Sequence, residues 1–320
     1  MSKTLITGGN GFIGRRLCSE LTASGRKIKK LVRKTRENDS SEQYECNLGI
    51  DKVPENVFDD VDTVFHLVGV THDINNTSIA DSVYYDVNVS ATLELAISAA
   101  KKGVKRFIYI SSVKAGGIPT CGKCMTEEDQ AKPEGIYGET KREAEIKLLE
   151  IANKLELHVS IIRPSLVYGV GVKGNLRKMV DGIKKGWFPP LPETGNRRSM
   201  IHVDDLVDIL LLVERDKRSN GEIFIATDGK NYSSNQIYRA ICGSLDKSVK
   251  KWVVPNIVFI LLAKIGDLVN MILPFPFDSY RYQKLLGDEC FSSKKIQTKL
   301  YFKAKYDIFS YDKSSFSDSS

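Results

Sequence analysis

Residues 2–14 of the chain read SKTLITGGNGFIG, and this stretch decides the fold. Its first half is short and mostly apolar, which predicts a buried strand. The glycines that follow predict a turn into a helix that ends near Gly25. Gly8 allows a tight turn, Gly11 lets a ligand approach the backbone, and Gly14 lets the helix pack closely on the strand. The stretch therefore predicts the first strand–turn–helix unit of an α/β fold.

The start of this helix is an expected anion site. Unpaired N–H groups and the positive end of the helix dipole face the turn, where the pyrophosphate of a dinucleotide would bind. Phe12 and Ile13, the first helical residues, are expected to contact the cofactor together with the three glycines. A glycine-rich turn before a helix also occurs without a ligand. Its place directly after an N-terminal strand favours the dinucleotide.

The composition limits the class of protein and its partners. A chain of 320 residues suffices for one large α/β domain or two interleaved ones. The formal charge of +7 is spread along the chain, so we expect an anionic small molecule or a weak attraction to anionic membrane, and no nucleic acid. Residues 1–3 lead straight into the first strand, which leaves no room for a signal peptide. Six cysteines do not make a disulfide framework, so we expect a reducing, cytoplasmic location.

Strands and helices alternate along the first half of the chain. The apolar run at 61–70 is continuous, as in a strand buried on both faces of a parallel sheet. Further strands are predicted at 27–32, 43–48, 105–111 and 158–163, and helices at 84–102 and 137–154. The alternation predicts a Rossmann-type doubly wound α/β fold.

Two interleaved lobes are expected. Residues 1–165 form the dinucleotide-binding domain, which a return strand near 220–227 completes. Residues 166–197 and 233–309 form a smaller C-terminal α/β substrate lobe. The tail at 310–320 is rich in Ser and Asp, which predicts disorder.

The residues after the second strand indicate the cofactor. Folds of this type that bind NAD usually place an acidic residue there to hold the ribose 2′-hydroxyl. This chain has Arg33 instead, with Lys34 and Arg36 close behind. A guanidinium binds a 2′-phosphate that a carboxylate would repel, so NADP(H) is favoured. NAD is the alternative, with Glu37 or Asp39 taking the ribose and the basic loop simply solvated.

Ser112, Tyr137 and Lys141 are the candidate catalytic residues. The tyrosine and the lysine are four residues apart at the start of a helix, so both lie on one helix face. A neighbouring ammonium stabilises a phenolate and lowers the tyrosine pKa, which suits acid–base chemistry. Ser112 ends the fifth strand, at the sheet edge where ligands of such folds bind. A surface tyrosine and lysine would be the alternative for the isolated YxxxK pattern.

These residues, in this order, resemble the extended short-chain dehydrogenases/reductases of the nucleotide-sugar branch. The similarity covers roughly 3–246, with a weaker echo at 285–306. The matching stretches are TGGNGFIG at 7–14, HLVG at 66–69, NVSAT at 88–92, SS at 111–112, YGETK at 137–141, RPSLVYG at 163–169 and IHVDDL at 201–206.

The resemblance implies further site residues. Asn47, Leu67 and Pro164 correspond to cofactor contacts, and Asn47 stands where many relatives carry an Asp near the adenine. Asn175 resembles an asparagine that contacts the nucleotide diphosphate, although it could also cap a helix. Arg198 resembles the arginine that clamps the phosphates, and Ser112 and Tyr137 would also touch the substrate. No metal is implied, and a homodimer through the helices at 84–102 and 137–154 is expected from the family.

Two reactions at C4 of a UDP-sugar can use these three catalytic residues, and the reduction is favoured over the epimerisation. One is the NADPH-dependent reduction of a UDP-4-keto-6-deoxy-N-acetylhexosamine for surface polysaccharide, which the basic cluster near Arg33 favours. The other is 4-epimerisation of UDP-glucose or UDP-N-acetylglucosamine with bound NAD. A dehydratase is disfavoured because Val113 and Lys114 stand where an Asp-Glu pair is usual. A catalytically silent NADP-binding sensor is the alternative of another class.

Two segments stay outside this scheme. Cys121 and Cys124 are interpreted as part of a substrate-side loop without a ligand, because no second cysteine pair has metal-site spacing. Residues 252–277 are strongly apolar but interrupted by Lys264 and Asp267, which predicts a helix of the substrate lobe. Peripheral contact with the inner face of the membrane is the alternative for this segment.

Overall fold

The computed structural model describes residues 3–71, 80–119 and 122–309. Cys121 and the tail that begins at Ser310 therefore lie outside the described residues. Strands are numbered in chain order: β1 (Lys3–Thr7), β2 (Lys27–Val32), β3 (Glu42–Glu45), β4 (Val61–His66), β5 (Arg106–Ile110), β6 (His158–Pro164), β7 (Leu166–Tyr168), β8 (Arg198–His202), β9 (Glu222–Ala226) and β10 (Asn231–Tyr232).

Helices surround these strands: α1 (Phe12–Ala23), α2 (Asp81–Tyr85), α3 (Ala91–Lys101), α4 (Val113–Gly116), α5 (Gly135–Leu155), α6 (Gly174–Lys185), α7 (Val203–Arg215), α8 (Ser234–Ser244), α9 (Asn256–Val269), α10 (Ser279–Leu286) and α11 (Lys294–Leu300). Short 3₁₀ turns occur at Glu55–Phe58 and Lys217–Ser219. A π-helical turn at Asp86–Ser90 joins α2 to α3, so the single helix expected at 84–102 contains a local widening.

The main sheet has seven strands in the order β3-β2-β1-β4-β5-β6-β9, and all neighbours are parallel. The predicted Rossmann-type sheet is therefore confirmed. The chain crosses over between β3 and β4, so the order reverses beside β1. In open sheets of this kind, ligands bind outside the carboxyl ends of the strands at such a reversal.

Both faces of this sheet are covered, and successive residues of each strand point to opposite cores. Leu5 packs with the cluster that includes α3 and α5, whereas Ile6 packs with the cluster that includes α1, α7 and α11. Val64 and Phe65 of β4 are divided between the same two clusters. Burial on both faces explains why the strands read as continuous apolar runs.

A second sheet of three strands, β10-β8-β7, continues from the end of β6. With α6, α8, α9 and α10 it encloses a separate apolar cluster that contains Tyr168, Met200 and Ile241. β8 carries Arg198 as its first residue, so this smaller layer brings a basic side chain towards the main sheet. None of the helices within the described ranges is both long and apolar enough to cross a bilayer.

Candidate active site

The glycine turn between β1 and α1 has the shape that a bound phosphate requires. Gly8 has a φ of +71°, and its carbonyl oxygen accepts a hydrogen bond from the N–H of Gly11 at 2.8 Å. A Cβ on Gly14 would overlap this oxygen and lie 2.8 Å from the Cα of Gly9. α1 begins at Phe12 with no side-chain cap and no acidic residue in its first turn. Its N–H groups are therefore open to an anion.

The other expected cofactor positions lie along the same edge of the sheet. Leu67 follows β4, and its N–H donates to the carbonyl oxygen of Thr7 at the end of β1, at 3.2 Å. Arg33 follows β2, Asn47 comes shortly after β3, and Pro164 is the last residue of β6. Because these strands are parallel neighbours, the structure brings all of these positions to one edge.

The loop after β2 presents positive charge at this edge. Arg33, Lys34 and Arg36 are exposed. Asp39 accepts a hydrogen bond from Nζ of Lys30 at 2.7 Å, so this carboxylate already has a cationic partner. Burial would raise the pKa of Asp39, but its hydrogen bonds outweigh that effect and lower it.

Ser112, Tyr137 and Lys141 meet at the carboxyl end of β5. Ser112 caps α4, and its Oγ accepts from the N–H of Lys114 at 3.3 Å. Tyr137 lies in the first turn of α5, with its hydroxyl close enough to Ser112 for the serine to lower the pKa of the tyrosine. Lys141, one turn later, is buried and donates from Nζ to the carbonyl oxygen of Ile110 at 2.9 Å. A strand end and a helix start thus place three distant positions in one site.

Burial dominates the acid–base properties of this site. It raises the pKa of Tyr137 to about 12, and the hydrogen bond with Ser112 opposes this only in part. It lowers the pKa of Lys141 to about 7, against the attraction of Glu145. The expected lowering of the tyrosine pKa by Lys141 is therefore wrong for this structure, since the amine points to a backbone carbonyl. With this pKa, Tyr137 stays protonated at neutral pH. It can take a proton from a substrate only if further positive charge beside it favours the phenolate.

Asn88 joins the loop after β4 to α5, the helix that carries Tyr137 and Lys141. Its amide oxygen accepts from the N–H of Val70 at 2.8 Å, and its Nδ2 donates to Oγ1 of Thr140 at 3.1 Å. Thr140 lies between Tyr137 and Lys141 on α5. The sequence motif at 88–92 contained this residue, but only the fold shows what it holds. Its place in the π-helical turn agrees with the frequent use of such turns at functional sites.

Arg198 lies in a group of charged side chains between the two sheets. Its guanidinium donates to Oε2 of Glu289 at 2.6 Å and to the carbonyl oxygen of Lys284 at 2.7 Å. Nζ of Lys284 pairs with Oε1 of Glu289 at 3.2 Å and also with Glu134. Lys114 pairs with Glu134 at 3.6 Å. We call these five residues the charged cluster.

The charged cluster reaches from Arg198 to within two residues of Ser112, because it ends at Lys114. It contains three cations and two carboxylates, so one positive charge is unmatched. Burial and the nearby Lys284 lower the pKa of Lys114, as expected where cations crowd together. Lys284, Glu134 and Glu289 were not predicted from the sequence, because no local motif marks them.

Comparison with known sequences identifies the family. Residues 4–226 match the profile of the NAD dependent epimerase/dehydratase family. The chain is also 32% identical over 278 residues to the UDP-glucose 4-epimerase of Vibrio cholerae, with 84% of each protein covered. This protein belongs to the NAD-dependent epimerase/dehydratase family.

Other similar proteins include a 4-epimerase with a different named substrate and two solved structures. The N-acetyl-alpha-D-glucosaminyl-diphospho-ditrans,octacis-undecaprenol 4-epimerase of Escherichia coli O157:H7 is 26% identical over 301 residues, covering 92% of this chain and 88% of that protein. The UDP-glucose 4-epimerase of Thermotoga maritima, solved with UDP-glucose, has a TM-score of 0.78 at 20% identity, with 98% and 97% coverage. A Bordetella bronchiseptica enzyme solved with NAD and UDP has a TM-score of 0.74 at 18% identity, covering 98% and 92%. At these identities the two structures show a shared fold.

The residues at this sheet edge fit the nicotinamide dinucleotide that membership of the epimerase/dehydratase family implies. Gly8 and Gly14 leave no side chain at the two closely approached positions of the turn, and the start of α1 offers N–H groups. Thr7 and His66, hydrogen-bonded at 2.7 Å, hold the ends of β1 and β4 together beneath this turn. Arg33 and Asn47 lie where the adenosine half would extend along the sheet edge.

Asn175 and His202 lie at the starts of α6 and α7. Asn175 is exposed in the first turn of α6, but the helix is capped at Lys173 with no side-chain hydrogen bond. The alternative of Asn175 as a helix cap is therefore wrong. His202 caps α7 by accepting from the N–H of Asp204 at 3.4 Å, and Asp204 pairs with Arg16 of α1. Both side chains therefore hold the start of α7 in place, which is a structural role.

Cys124 differs from the expectation of an unliganded loop. It forms a disulfide with Cys290, 166 residues away in sequence. The two segments are already joined by backbone hydrogen bonds, because the N–H of Met125 donates to the carbonyl oxygen of Cys290 at 3.0 Å. The scattered cysteines gave no signal for this pairing, since it depends on the return of the chain after α10. The disulfide fixes the loop before Tyr137 next to the charged cluster.

Proposed function

We propose that this protein is a 4-epimerase of a UDP-sugar that uses a tightly bound nicotinamide dinucleotide. The observation that carries the proposal is the placement of Ser112 close to Tyr137, with the buried Lys141 one helical turn further on and the glycine turn at the same sheet edge. The Vibrio cholerae and Escherichia coli relatives named above are both 4-epimerases, which favours this reaction over reduction.

Each of the three residues has a defined task in this proposal. Ser112 donates a hydrogen bond to the C4 oxygen and orients it. Tyr137 removes the proton from that oxygen and later returns it. Lys141 holds the ribose and adds positive charge near the phenol. A bound oxidised dinucleotide supplies the hydride acceptor at C4 and a further positive charge, without which the pKa of about 12 keeps Tyr137 protonated.

The charged cluster would hold the diphosphate of the substrate. Arg198 and Lys284 are both held by Glu289, at 2.6 and 3.2 Å. A diphosphate offers stronger acceptors than one carboxylate, so it would take over these cations while the carboxylates keep them oriented. Asn175 is proposed as a further contact to the nucleotide diphosphate.

The second candidate is an NADPH-dependent 4-reductase of a UDP-4-keto-6-deoxy-N-acetylhexosamine. The observation that favours it is the exposed Arg33 beside Lys34 and Arg36, while Asp39 is already held by Lys30. A guanidinium in this place favours a 2′-phosphate. The same Ser112 and Tyr137 would then deliver one proton to the sugar oxygen without taking it back.

Two assays on the purified protein distinguish these functions. Conversion of UDP-glucose or UDP-N-acetylglucosamine to its C4 epimer without added cofactor supports the epimerase. Loss of absorbance at the nicotinamide band with NADPH and a UDP-4-keto-6-deoxy sugar supports the reductase. Neither activity, together with retained dinucleotide binding, would overturn both and favour a silent binding protein.

A binding experiment tests the cofactor preference on its own. Arg33→Ala should weaken NADP⁺ binding about tenfold and leave NAD⁺ binding nearly unchanged, because one charge-assisted contact to phosphate is lost. Lys34→Ala is the matched control, since it removes a neighbouring exposed cation. Equal losses for both dinucleotides would contradict a 2′-phosphate contact at Arg33.

A further inference from the structure

One face of α9 is apolar and open to solvent. The helix buries only a narrow stripe, formed by Phe259, Ala263 and Gly266. The residues around that stripe are apolar and 38–69% exposed: Ile257, Val258, Leu261, Leu262, Ile265 and Leu268. The turn that follows adds Met271, Ile272 and Leu273, which are 66–85% exposed. We call these nine residues the apolar face; contiguous exposure of this kind marks an interaction surface.

Both tryptophans of the chain lie beside the start of α9. Trp187 and Trp252 are each more than half exposed. Nζ of Lys250 lies 5.2 Å from the ring centroid of Trp252 and donates to the carbonyl oxygen of Gly186 at 3.4 Å. One lysine thus links the two tryptophan segments. Tryptophan is the residue most typical of the boundary between a bilayer and water.

The charge around the apolar face is positive. Between residues 246 and 281 the chain has five basic and three acidic residues, a net charge of +2: Lys247, Lys250, Lys251, Lys264 and Arg281 against Asp246, Asp267 and Asp278. The carboxylate of Asp267 is held by the N–H and hydroxyl of Ser279. A second copy of the chain would bring the same four lysines against one another, which disfavours self-association through this face.

We propose that the apolar face and its lysines dock this protein on an anionic lipid bilayer. The 14 residues of α9 lie along the interface, with their apolar side chains among the acyl chains and the lysines among the headgroups. The tryptophans sit at the boundary. This proposal does not depend on which reaction the active site catalyses.

The docking face lies one helix away from the charged cluster. The hydroxyl of Tyr282 in α10 hydrogen-bonds Oδ1 of Asn256 at the start of α9, at 3.1 Å. Phe259 of α9 packs on Phe277 just before α10, with ring centroids 6.1 Å apart. α10 also carries Lys284 of the charged cluster. A docked protein would therefore hold its diphosphate-binding residues close to the membrane surface.

Vesicle binding tests the proposal with the full chain. Tryptophan emission and flotation are measured with vesicles of phosphatidylcholine mixed with phosphatidylglycerol, and with phosphatidylcholine alone. Because both tryptophans lie in the docking region, a blue shift of the emission reports docking directly. We expect binding to the anionic vesicles that weakens with salt, and weaker binding to the neutral ones.

Matched variants locate the contact. Ile272 and Ile50 are the same residue type and are 85% and 79% exposed, so neither substitution should disturb folding. Ile272→Glu should weaken vesicle binding about tenfold or more, since it removes apolar burial and adds a negative charge. Ile50→Glu, in the loop after β3, should leave vesicle binding unchanged.

Three results would overturn the proposal. The first is wild-type protein that stays unbound to anionic vesicles at low salt, with unshifted emission. The second is an equal loss of binding in Ile272→Glu and Ile50→Glu. The third is a wild-type oligomer that Ile272→Glu dissociates in the absence of lipid, which would assign the face to a second copy of the chain.

Discussion

Tyr137 is the residue on which the proposed chemistry depends most directly. Its hydroxyl is close enough to Ser112 for the serine to lower its pKa, and the ring is partly buried in the first turn of α5. Tyr137→Phe removes the hydroxyl and keeps the ring. We expect turnover to fall at least about 100-fold, because proton transfer to the sugar oxygen is lost. Dinucleotide binding, measured by titration, should change little; substantial residual turnover would contradict the assigned role.

Lys141 gives a pH dependence of stability with a definite sign. Its pKa falls from 10.5 to about 7 on folding because the amine is buried. The unfolded chain therefore binds more protons between these values, and wild-type stability should rise with pH by about 1 kcal/mol per pH unit in this window. Lys141→Met lacks this titration, so its unfolding free energy should exceed that of the wild type most at pH 7.

Urea unfolding followed by circular dichroism at pH 7, 8 and 9.5 measures this difference. The gap between Lys141→Met and wild type should shrink as the pH rises, because the wild-type amine loses its proton in both states. Other titrating groups are common to the two proteins and cancel in the comparison. A gap that stays constant or widens with pH would show that Lys141 is not held in the described environment.

Single residues also show where sequence reasoning ends. The spacing of Tyr137 and Lys141 on one helix placed them together, because helical geometry is local. The partners of Arg198 are 86 and 91 residues away in sequence, so no spacing rule connects them. No local pattern in the sequence indicates that Nζ of Lys141 donates to the carbonyl oxygen of Ile110.

Gly14 tests the glycine turn as an element. A Cβ at this position would overlap the carbonyl oxygen of Gly8. Gly14→Ala should lower the free energy of unfolding by about 1–3 kcal/mol through overpacking, and it should abolish tight dinucleotide binding. Gly243 of α8 has no atom within 4 Å of such a Cβ, so Gly243→Ala is the matched control and should be neutral or stabilising. Tight binding in Gly14→Ala would show that the turn does not hold the pyrophosphate.

The disulfide between Cys124 and Cys290 ties the loop before α5 to the strand-like segment after α10. Reduction should lower the free energy of unfolding by about 3–5 kcal/mol, because it releases a large loop in the unfolded chain. The same reductant should have no effect on Cys290→Ala, which lacks the link. Thermal unfolding with and without dithiothreitol measures both; an equal reductant effect in the two proteins would show that the link does not form.

Among the elements, the strands of the main sheet were the most predictable from the sequence. The irregular turns that interrupt a helix were the least predictable. Continuous apolar runs mark strands buried on both faces, but the run at 61–70 continues four residues past the end of β4 at His66. β3 is short and half-exposed, and its expected end at 48 lay three residues too late. The π-helical turn at Asp86–Ser90 has no local sequence signature. Within it, Asn88 makes hydrogen bonds with Val70 and Thr140, which are distant in sequence.

For the whole molecule, the order of elements predicted the parallel sheet and its active edge. The boundaries of the two lobes and a homodimer through α3 and α5 stay predictions, since both depend on contacts between distant surfaces. The disulfide and the charged cluster were missed for the same reason. They form only after the chain returns from α10 to the main sheet.

The proposed epimerase removes hydride from C4 of a UDP-sugar and returns it to the other face. UDP-glucose carrying deuterium at C4, incubated with the purified protein without added cofactor, tests this step. We expect UDP-galactose that retains the deuterium at C4, shown by mass spectrometry and NMR. Unchanged substrate despite bound dinucleotide, or product whose label has been lost to water, would contradict it.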